Sequence, residues 1–249
     1  MGQSRSPLGV ADLERVAARG WRGTEEEPLG GWLLRAGGGF TGRANTALVT
    51  GDPGLALPAA VEAVTGWYRA RGLRPGAALP GVQARPADAV LAAAGWERSE
   101  AVLVLTAPLA VPADAAVPVG LLAAPDDAWL ACYRDDAVSP AARAVLTGAE
   151  RVVFAQVRPD RGAGPVAVGR GVVDGEWLGV GAVTVAPGHR RHGLATAVMA
   201  ALTRWGAGQG ARWVYLQVSA SNAPARALYR DAGYVEHHRY HYRWAPAGV

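Results

Sequence analysis

The feature that most constrains this chain is an internal repeat, because the sequence matches itself when it is shifted by 138 positions. Segment 55–74 then aligns with segment 193–212 without a gap. The coinciding residues include Trp67 and Trp205, Gly72 and Gly210, Arg74 and Arg212, Pro86 and Pro224, and Gly95 and Gly233. Tryptophan, glycine and proline seldom coincide by chance, so the sequence predicts two copies of one fold.

Length and composition agree with two compact domains. The chain has 249 residues, of which 50% are hydrophobic and 18% charged, so it can bury a core, and this excludes a disordered chain. We predict an N-terminal domain over residues 1–110 and a C-terminal domain over residues 117–249. A connector rich in proline and alanine is expected near Thr106–Ala116.

The pattern of apolar residues in the second copy predicts an α/β fold class. Short apolar runs separated by turn residues predict strands as far as Val185. The spacing then changes to that of a helix from Leu194. The pattern then predicts a strand over 212–219, a helix over 223–231 and a final strand over 235–244. The prediction is a mixed sheet (α+β) in two structurally similar halves.

Charge and cysteine content exclude several classes of protein. All 25 basic residues are arginine, the formal net charge is only +4, and no block of like charge suits nucleic acid. The absence of Lys and Ile is typical of a GC-rich bacterial genome. Only Cys132 is present, so no intrachain disulfide is expected. Proline and aspartate interrupt the most apolar run, Ala101–Pro125, so we expect no transmembrane helix and no membrane partner. The single cysteine fits a reducing, cytoplasmic setting.

The segment after the strand that ends at Val185 is typical of a phosphate site. It is a basic loop followed by a helix, and the free N–H groups and dipole of a helix N-terminus favour an anion. Gly193 and Ala195 leave room for a close approach. Positive charge comes from Arg190, Arg191 and His192. Alone, the pattern R-x-x-G-x-A is weak, and a basic helix start explains it equally well.

A second motif lies one strand further along, where residues 222–234 read N-A-P-A-R-A-L-Y-R-D-A-G-Y. Together with V-x-P-x-x-R-x-x-G-x-A at residues 185–195, it resembles the acetyl-CoA signature of the GNAT superfamily of N-acetyltransferases. The resemblance is strong across about Val152–Trp244 and weaker over residues 1–110. It implies a tandem GNAT fold and acetyl-CoA as co-substrate, with no metal. The acetyl group would pass to a primary amine of a small molecule or peptide by direct attack in a ternary complex.

The same resemblance implies roles for individual residues. The loop would cradle the CoA pyrophosphate, and the exposed backbone of the preceding strand would pair with the pantetheine arm. Tyr229 corresponds to the tyrosine that protonates the departing thiolate, with an ordinary core tyrosine as the alternative. Asn222 would cap its helix and also contact CoA; the alternative is that it only caps the helix. The cofactor-binding residues implied are Val183, Thr184, Val185, Arg190, Arg191, His192, Gly193, Leu194, Ala195, Thr196 and Asn222.

The general base is where the sequence departs from the family pattern. Many members carry a Glu part-way along the strand before the phosphate loop, but here Trp177–Val185 contains no carboxylate. Glu176, at the start of that strand, is a weak base candidate, and a solvated turn is the favoured interpretation. A water relay or a substrate amine that arrives neutral would serve instead.

The first copy has lost the residues that this chemistry needs. The shift of 138 places the basic loop on the segment 52–55, where Asp52 would repel a pyrophosphate and Pro53 lacks an N–H group. The same shift aligns Tyr229 with Leu91. We therefore expect one acetyl-CoA per chain.

Two other features have open interpretations. The Gly-rich segment 37–45 resembles part of actinobacterial two-part GNAT proteins, and its Arg43 and Asn45 are candidate substrate contacts or simply turn residues. His237, His238 and His241 invite a metal site, but alternating His and Tyr on a half-exposed strand is the preferred account.

Two rival functions and the oligomeric state stay open at this stage. One rival is a module that senses acyl-CoA without turnover, and the other is an acyltransferase that uses a longer acyl-CoA. The acceptor amine is unidentified. A monomer and a homodimer both agree with tandem copies.

Overall fold

The computed structural model describes residues 6–111, 117–134, 139–160 and 162–247. The helices are α1 (Val10–Gly20), α2 (Leu57–Arg69), α3 (Arg85–Ala93), α4 (Asp127–Tyr133), α5 (Pro140–Thr147), α6 (Leu194–Gly208) and α7 (Ala223–Asp231). The strands are β1 (Glu25–Leu29), β2 (Trp32–Ala36), β3 (Ala47–Leu48), β4 (Gly76–Pro80), β5 (Glu97–Arg98), β6 (Val102–Pro108), β7 (Gly120–Leu122), β8 (Val152–Val157), β9 (Ala167–Asp174), β10 (Trp177–Val185), β11 (Trp213–Ser219) and β12 (Val235–Trp244). The predicted α/β class with a mixed sheet is confirmed.

The chain forms two compact units. The central unit contains Thr106–Pro140 and Ala149–Gln217, and the terminal unit contains Pro7–Leu105, Ala141–Gly148 and Val218–Val249. Within the described residues, no helix is both long and apolar enough to cross a membrane.

The terminal unit is built on strands in the order β1-β2-β3-β4-β12-β6. Strands β3 and β4 run parallel, whereas β1 with β2 and β4 with β12 are antiparallel. Side chains of α2 and α3 close the core on one face of these strands: Val61, Val64, Tyr68 and Leu91 pack with Trp32 and Leu79. The hydroxyl of Tyr68 donates to the carbonyl of Arg35 at 2.9 Å, which satisfies a polar group inside this core.

The central unit has the strand order β6-β11-β10-β9-β8-β7. Strands β10 and β11 are parallel, whereas β9 is antiparallel to both β10 and β8. Helix α6 packs on one face, and a Cβ atom at Gly169 of β9 would lie 2.5 Å from Val198 Cγ1 of α6. Glycine at this position therefore allows the helix to approach the sheet closely.

The predicted repetition recurs in the order of the elements. Shifting α3 by 138 positions gives the bounds of α7 residue for residue, and α2 falls within α6 in the same way. Strand β4 likewise falls within β11. The apolar and Gly/Pro patterns had therefore located both copies correctly along this part of the chain.

The last strand of the second copy, β12, lies in the terminal unit with the body of the first copy, whereas β6, the last strand of the first copy, is divided between the two units after Leu105. In the terminal unit, β12 pairs with β4, and Tyr240 lies opposite Pro80. In the central unit, the N–H of Leu109, just after β6, donates to the carbonyl of Arg212 at 2.8 Å. The boundary between residues 110 and 117 stays a prediction, and residues 112–116 of the expected connector lie outside the described residues. Its first part, Thr106–Pro108, ends β6.

The histidines of β12 bind groups of the terminal unit. His238 Nε2 lies 2.7 Å from a carboxylate oxygen of Glu14 on α1. The Nδ1 atoms of His237 and His238 are 2.8 Å apart, and His237 Nε2 lies 3.0 Å from the carbonyl of Leu8. His241 binds Asp88 of α3 at 2.9 Å. Among the residues that the structure describes, no group of three His, Cys, Asp or Glu is arranged to hold a metal ion.

Glu14 and His238 are almost fully buried, and each is hydrogen-bonded within this cluster. Polar groups are tolerated inside a protein where they are paired in this way.

We predict that Glu14→Ala lowers the free energy of unfolding by about 3 kcal/mol, because it leaves a buried histidine without its partner. Replacing both Glu14 and His238 by Leu is expected to cost less than Glu14→Ala, since no orphaned polar group remains. Urea denaturation followed by circular dichroism measures the change. The matched control is Asp12→Ala in the exposed pair with Arg15 on the same helix, with an expected loss of no more than about 1 kcal/mol. Equal losses for Glu14→Ala and Asp12→Ala would contradict this account.

Candidate functional site

Strand β10 separates from β11 halfway along its length. Their parallel pairing covers Trp177–Val180, opposite Trp213–Leu216. The pairing with β9 continues to Val185, with a register shift between Gly181 and Thr184. Ala182, inside this bulge, has φ of 53°, a conformation that costs an L-residue about 1–2 kcal/mol. Bulges re-aim the backbone, so the half-buried segment Val183–Val185 is freed from the ladder with β11.

The loop after β10 leads into α6 through two left-handed residues. A short 3₁₀ turn, Pro187–His189, follows Val185. Arg191 then has φ of 69°, and Gly193, the N-cap of α6, has φ of 73° with open space where a Cβ would lie. The guanidinium Nε of Arg190 donates to the carbonyl of Val185 at 3.2 Å, which ties the loop to the end of the strand.

The N-terminus of α6 presents free amides. The first hydrogen bond of the helix runs from the N–H of Ala197 to the carbonyl of Gly193, so the three preceding N–H groups have no partner inside the helix. No side chain caps them. These amides belong to Leu194, Ala195 and Thr196, and the exposed side chains beside them are those of Arg190, Arg191 and His192. Amides of this kind, next to left-handed residues and positive charge, bind anions.

Tyr229 and Asn222 lie on α7, in the terminal unit. Asn222 is the N-cap, and its side-chain oxygen accepts the N–H of Ala225 at 3.2 Å. Tyr229 is only 8% exposed, and its ring centroid lies 5.8 Å from that of Tyr234. Burial raises the pKa of Tyr229 above its ordinary value. Its hydroxyl binds no other protein group in the described part of the chain.

Glu176 lies in the exposed turn between β9 and β10. Its carboxylate is 3.3 Å from the guanidinium of Arg212, and both side chains are exposed. Strand β10 separates it from Val185 by nine residues, or about 30 Å of extended chain. This position agrees with the interpretation of Glu176 as a solvated turn residue.

Asn45 and Arg43 organise the Gly-rich loop of the terminal unit. Asn45 Oδ1 accepts the N–H groups of Gly37 and Gly39, at 2.8 and 2.9 Å. Its Nδ2 donates to the carbonyls of Phe40 and Thr41, at 2.8 and 2.9 Å. The buried side chain of Asn45 thus satisfies the loop backbone.

The guanidinium of Arg43 stacks over a ring, with its Cζ atom 4.0 Å from the ring centroid of Trp21. Next to it, Thr41 has φ of 60°, a strained value for a β-branched residue. Trp21 Nε1 donates to the hydroxyl of Thr41 at 2.9 Å and so holds this conformation. The aromatic partner of Arg43 was not predictable from the sequence, because Trp21 is 22 residues away and α1 brings it back to the loop.

The corresponding loop of the first copy is acidic where that of the second copy is basic. Its loop before α2 contains Asp52, whose carboxylate accepts the N–H of Gly54 at 2.8 Å. A loop amide therefore already has an anionic partner. Leu91, at the position of Tyr229, is 1% exposed and belongs to the apolar core.

One polar cluster was missed by the sequence reasoning. The carboxylate of Glu100 accepts the hydroxyls of Ser219 and Ser221, at 2.7 and 3.0 Å. These partners are separated by more than a hundred residues. In the sequence, the one indication of their proximity is the shift of 138, which aligns Glu100 with His238 in the last strand.

Comparisons with known proteins agree with this geometry. The family model for "Probable histone acetyltransferase Rv0428c C-terminal" matches residues 9–243. The chain is 34% identical over 247 residues to the probable histone acetyltransferase Rv0428c of Mycobacterium tuberculosis, with 96% of this chain and 74% of that protein covered.

Two solved structures share the fold. The GCN5-related N-acetyltransferase from Kribbella flavida matches with a TM-score of 0.74 at 20% identity, over 98% of each chain. The tandem GNAT protein from the clavulanic acid biosynthesis pathway matches with a TM-score of 0.65 at 17% identity, over 100% of this chain and 91% of that one.

The GNAT resemblance of the motifs is thereby confirmed, and the family match extends over nearly the whole chain rather than over its second half alone. The chain belongs to the family of the Rv0428c C-terminal region and is a GNAT-type N-acetyltransferase.

Proposed function

We propose that the chain binds one acetyl-CoA and transfers its acetyl group to a primary amine by direct attack in a ternary complex. The observation that carries the proposal is the N-terminus of α6, where three free amides and two left-handed residues adjoin exposed arginines. The pyrophosphate of CoA is the anion that fits there. The backbone of Val183–Val185 would pair with the pantetheine arm, because it is freed from β11.

The chemistry follows from the groups available. The amine nitrogen attacks the thioester carbon, the C–S bond breaks, and the sulfur leaves as a thiolate that needs a proton. Tyr229 would supply this proton, since burial keeps its phenol protonated at neutral pH. Holding amine and thioester together supplies most of the rate. Asn222 would position α7 through its cap and contact CoA with the remaining capacity of its amide.

The two candidate substrate contacts on the Gly-rich loop, Asn45 and Arg43, have different roles in this proposal. We infer that Asn45 holds the loop, because its side chain already makes four hydrogen bonds there. Arg43 would meet an acidic group of the acceptor. The M. tuberculosis relative is named a probable histone acetyltransferase, so a histone-tail peptide belongs in the first panel of acceptors, beside amino acids and small amines.

Charge reversal at Arg190 and Arg191 is expected to weaken acetyl-CoA binding by about 100-fold or more, because two charge-assisted contacts to phosphate are lost. Calorimetric titration of the wild-type protein should give one site per chain. The matched control is Arg212→Glu, an exposed arginine of the same unit next to Glu176. Asp52→Ala should leave binding unchanged. Two sites in the wild type would contradict the loss of the site in the first copy.

Tyr229→Phe is expected to lower kcat about 100-fold and leave the Kd of acetyl-CoA unchanged, because only the proton of the phenol is removed. Since the pKa of Tyr229 is raised, ionisation of this group should not reduce the wild-type rate at any pH below 10. Steady-state kinetics from pH 6 to 10 measures both. Tyr234→Phe is the control, because its half-buried ring is next to that of Tyr229. If the protein is an acyl-CoA sensor instead, the wild type and the variant will bind acetyl-CoA equally well, and neither will acetylate an amine.

Comparing acetyl-, propionyl- and succinyl-CoA at one amine tests the acyl group. We expect kcat/KM to be highest with acetyl-CoA, and the release of free thiol gives the rate. A clear preference for a longer acyl group would overturn the acetyl assignment but preserve the transferase.

A further inference from the structure

The point at which β10 and β11 separate lies inside the central unit. The last paired residues are Val180 of β10 and Leu216 of β11, and we call this position the vertex. Side chains alternate between the two faces of a strand. Leu178 packs against Gly206 of α6, so Gly179 belongs to the face of β10 that is turned away from that helix.

The direction of a bound CoA along β10 follows from the place of its pyrophosphate, which rests on the proposed function. The amides of α6 come after Val185, whereas the vertex lies at the other end of the freed segment, about 13 Å from Val185 in extended backbone. Pyrophosphate and thioester are at opposite ends of the pantetheine arm. An arm that runs from the helix along Val183–Val185 therefore brings the acyl group toward the vertex.

The phenol of Tyr215 lies against β10 beside the vertex. Tyr215 is paired with Gly179, one position before Val180. A Cβ atom at Gly179 would overlap the hydroxyl oxygen and Cζ of Tyr215. The side chain of Tyr215 therefore crosses from β11 onto β10, and only glycine at position 179 leaves room for it.

Packed aromatic rings hold Tyr215 in this position. Tyr215 is 6% exposed, and its ring centroid is 6.3 Å from that of Trp177. Trp177 in turn stacks on Trp213, with 5.7 Å between the ring centroids. Both indoles lie on the side of Tyr215 that is remote from the vertex. Because protein interiors are close-packed, the phenol cannot move away from the vertex without displacing these rings.

We propose that Tyr215 limits the length of the acyl group that the protein accepts. The acetyl group fits at the vertex, and the further carbon atoms of a longer acyl chain meet the hydroxyl oxygen of Tyr215. The shift of 138 places Ala77 of β4 at this position in the first copy. A methyl group cannot cross to the neighbouring strand, so this boundary belongs to the copy that carries the basic loop.

The test is calorimetric titration with free CoA, acetyl-CoA, propionyl-CoA and butyryl-CoA. Free CoA measures everything except the acyl group. In the wild type we expect the Kd of propionyl-CoA to exceed that of acetyl-CoA about 10-fold or more. Tyr215→Phe removes one oxygen atom, so propionyl-CoA should then bind within about threefold of acetyl-CoA. Butyryl-CoA should stay weaker, and the Kd of free CoA should not change.

Two further variants separate the position of the hydroxyl from a general loosening of the unit. The matched control is Tyr133→Phe, which removes a hydroxyl from α4 of the same unit, where Tyr133 packs on Trp129. It should keep the wild-type ratios of Kd. Tyr215→Leu shortens the side chain further and should also admit butyryl-CoA. If that variant does not fold, Tyr215→Phe alone decides the test.

A wild-type protein that binds propionyl-CoA as tightly as acetyl-CoA contradicts the proposal. The same holds for Tyr215→Phe with wild-type ratios, or for equal changes in Tyr215→Phe and Tyr133→Phe. In these cases binding of free CoA still supports the CoA site of the proposed function. A wild-type protein that binds neither free CoA nor any of its esters overturns the proposed function, and the role of Tyr215 with it.

Discussion

The central unit depends on the point at which β10 leaves β11. Parallel pairing to Val180 fixes the first half of β10 in the sheet, and the bulge at Ala182 turns the second half away. A strained alanine persists only where surrounding contacts hold it, and the continuous pairing with β9 does so here. The bulge therefore determines where the strand ends, where the loop begins and in which direction the amides of α6 point.

The two copies differ in the few atoms that precede the equivalent helices α2 and α6. Before α6, glycine at the N-cap and exposed arginines leave the amides open to a ligand. Before α2, Asp52 accepts the N–H of Gly54 and brings negative charge to the same place. Both helices form, since their apolar faces alone determine helix formation. Fold and ligand binding are thus controlled by separate residues, and one can be lost without the other.

Most of the architecture was predictable from the sequence because it depends on local patterns. The bounds of α7 follow from Asn222, Pro224 and Gly233, each of which acts on its own backbone. The bulge at Ala182 has no such signal, since positive φ at an alanine is imposed by the register with β9. The role of Asn45 and the proximity of Glu100 to Ser219 depend on contacts between distant segments. A single sequence therefore predicts where a helix or strand begins and ends better than it predicts which other segments that element contacts.

The pairing of β12 with a strand of the first copy gives a physical reason for the retention of that copy. Tyr229 and Asn222 both lie in the terminal unit, whose core comes mainly from residues 7–105. Helix α7 continues into β12, and β12 pairs with β4 of the first copy. If β4 or its core were lost, β12 would have no partner and the helix before it no fixed position. The first copy is therefore constrained by the groups that it holds in place, whatever the composition of its own loop.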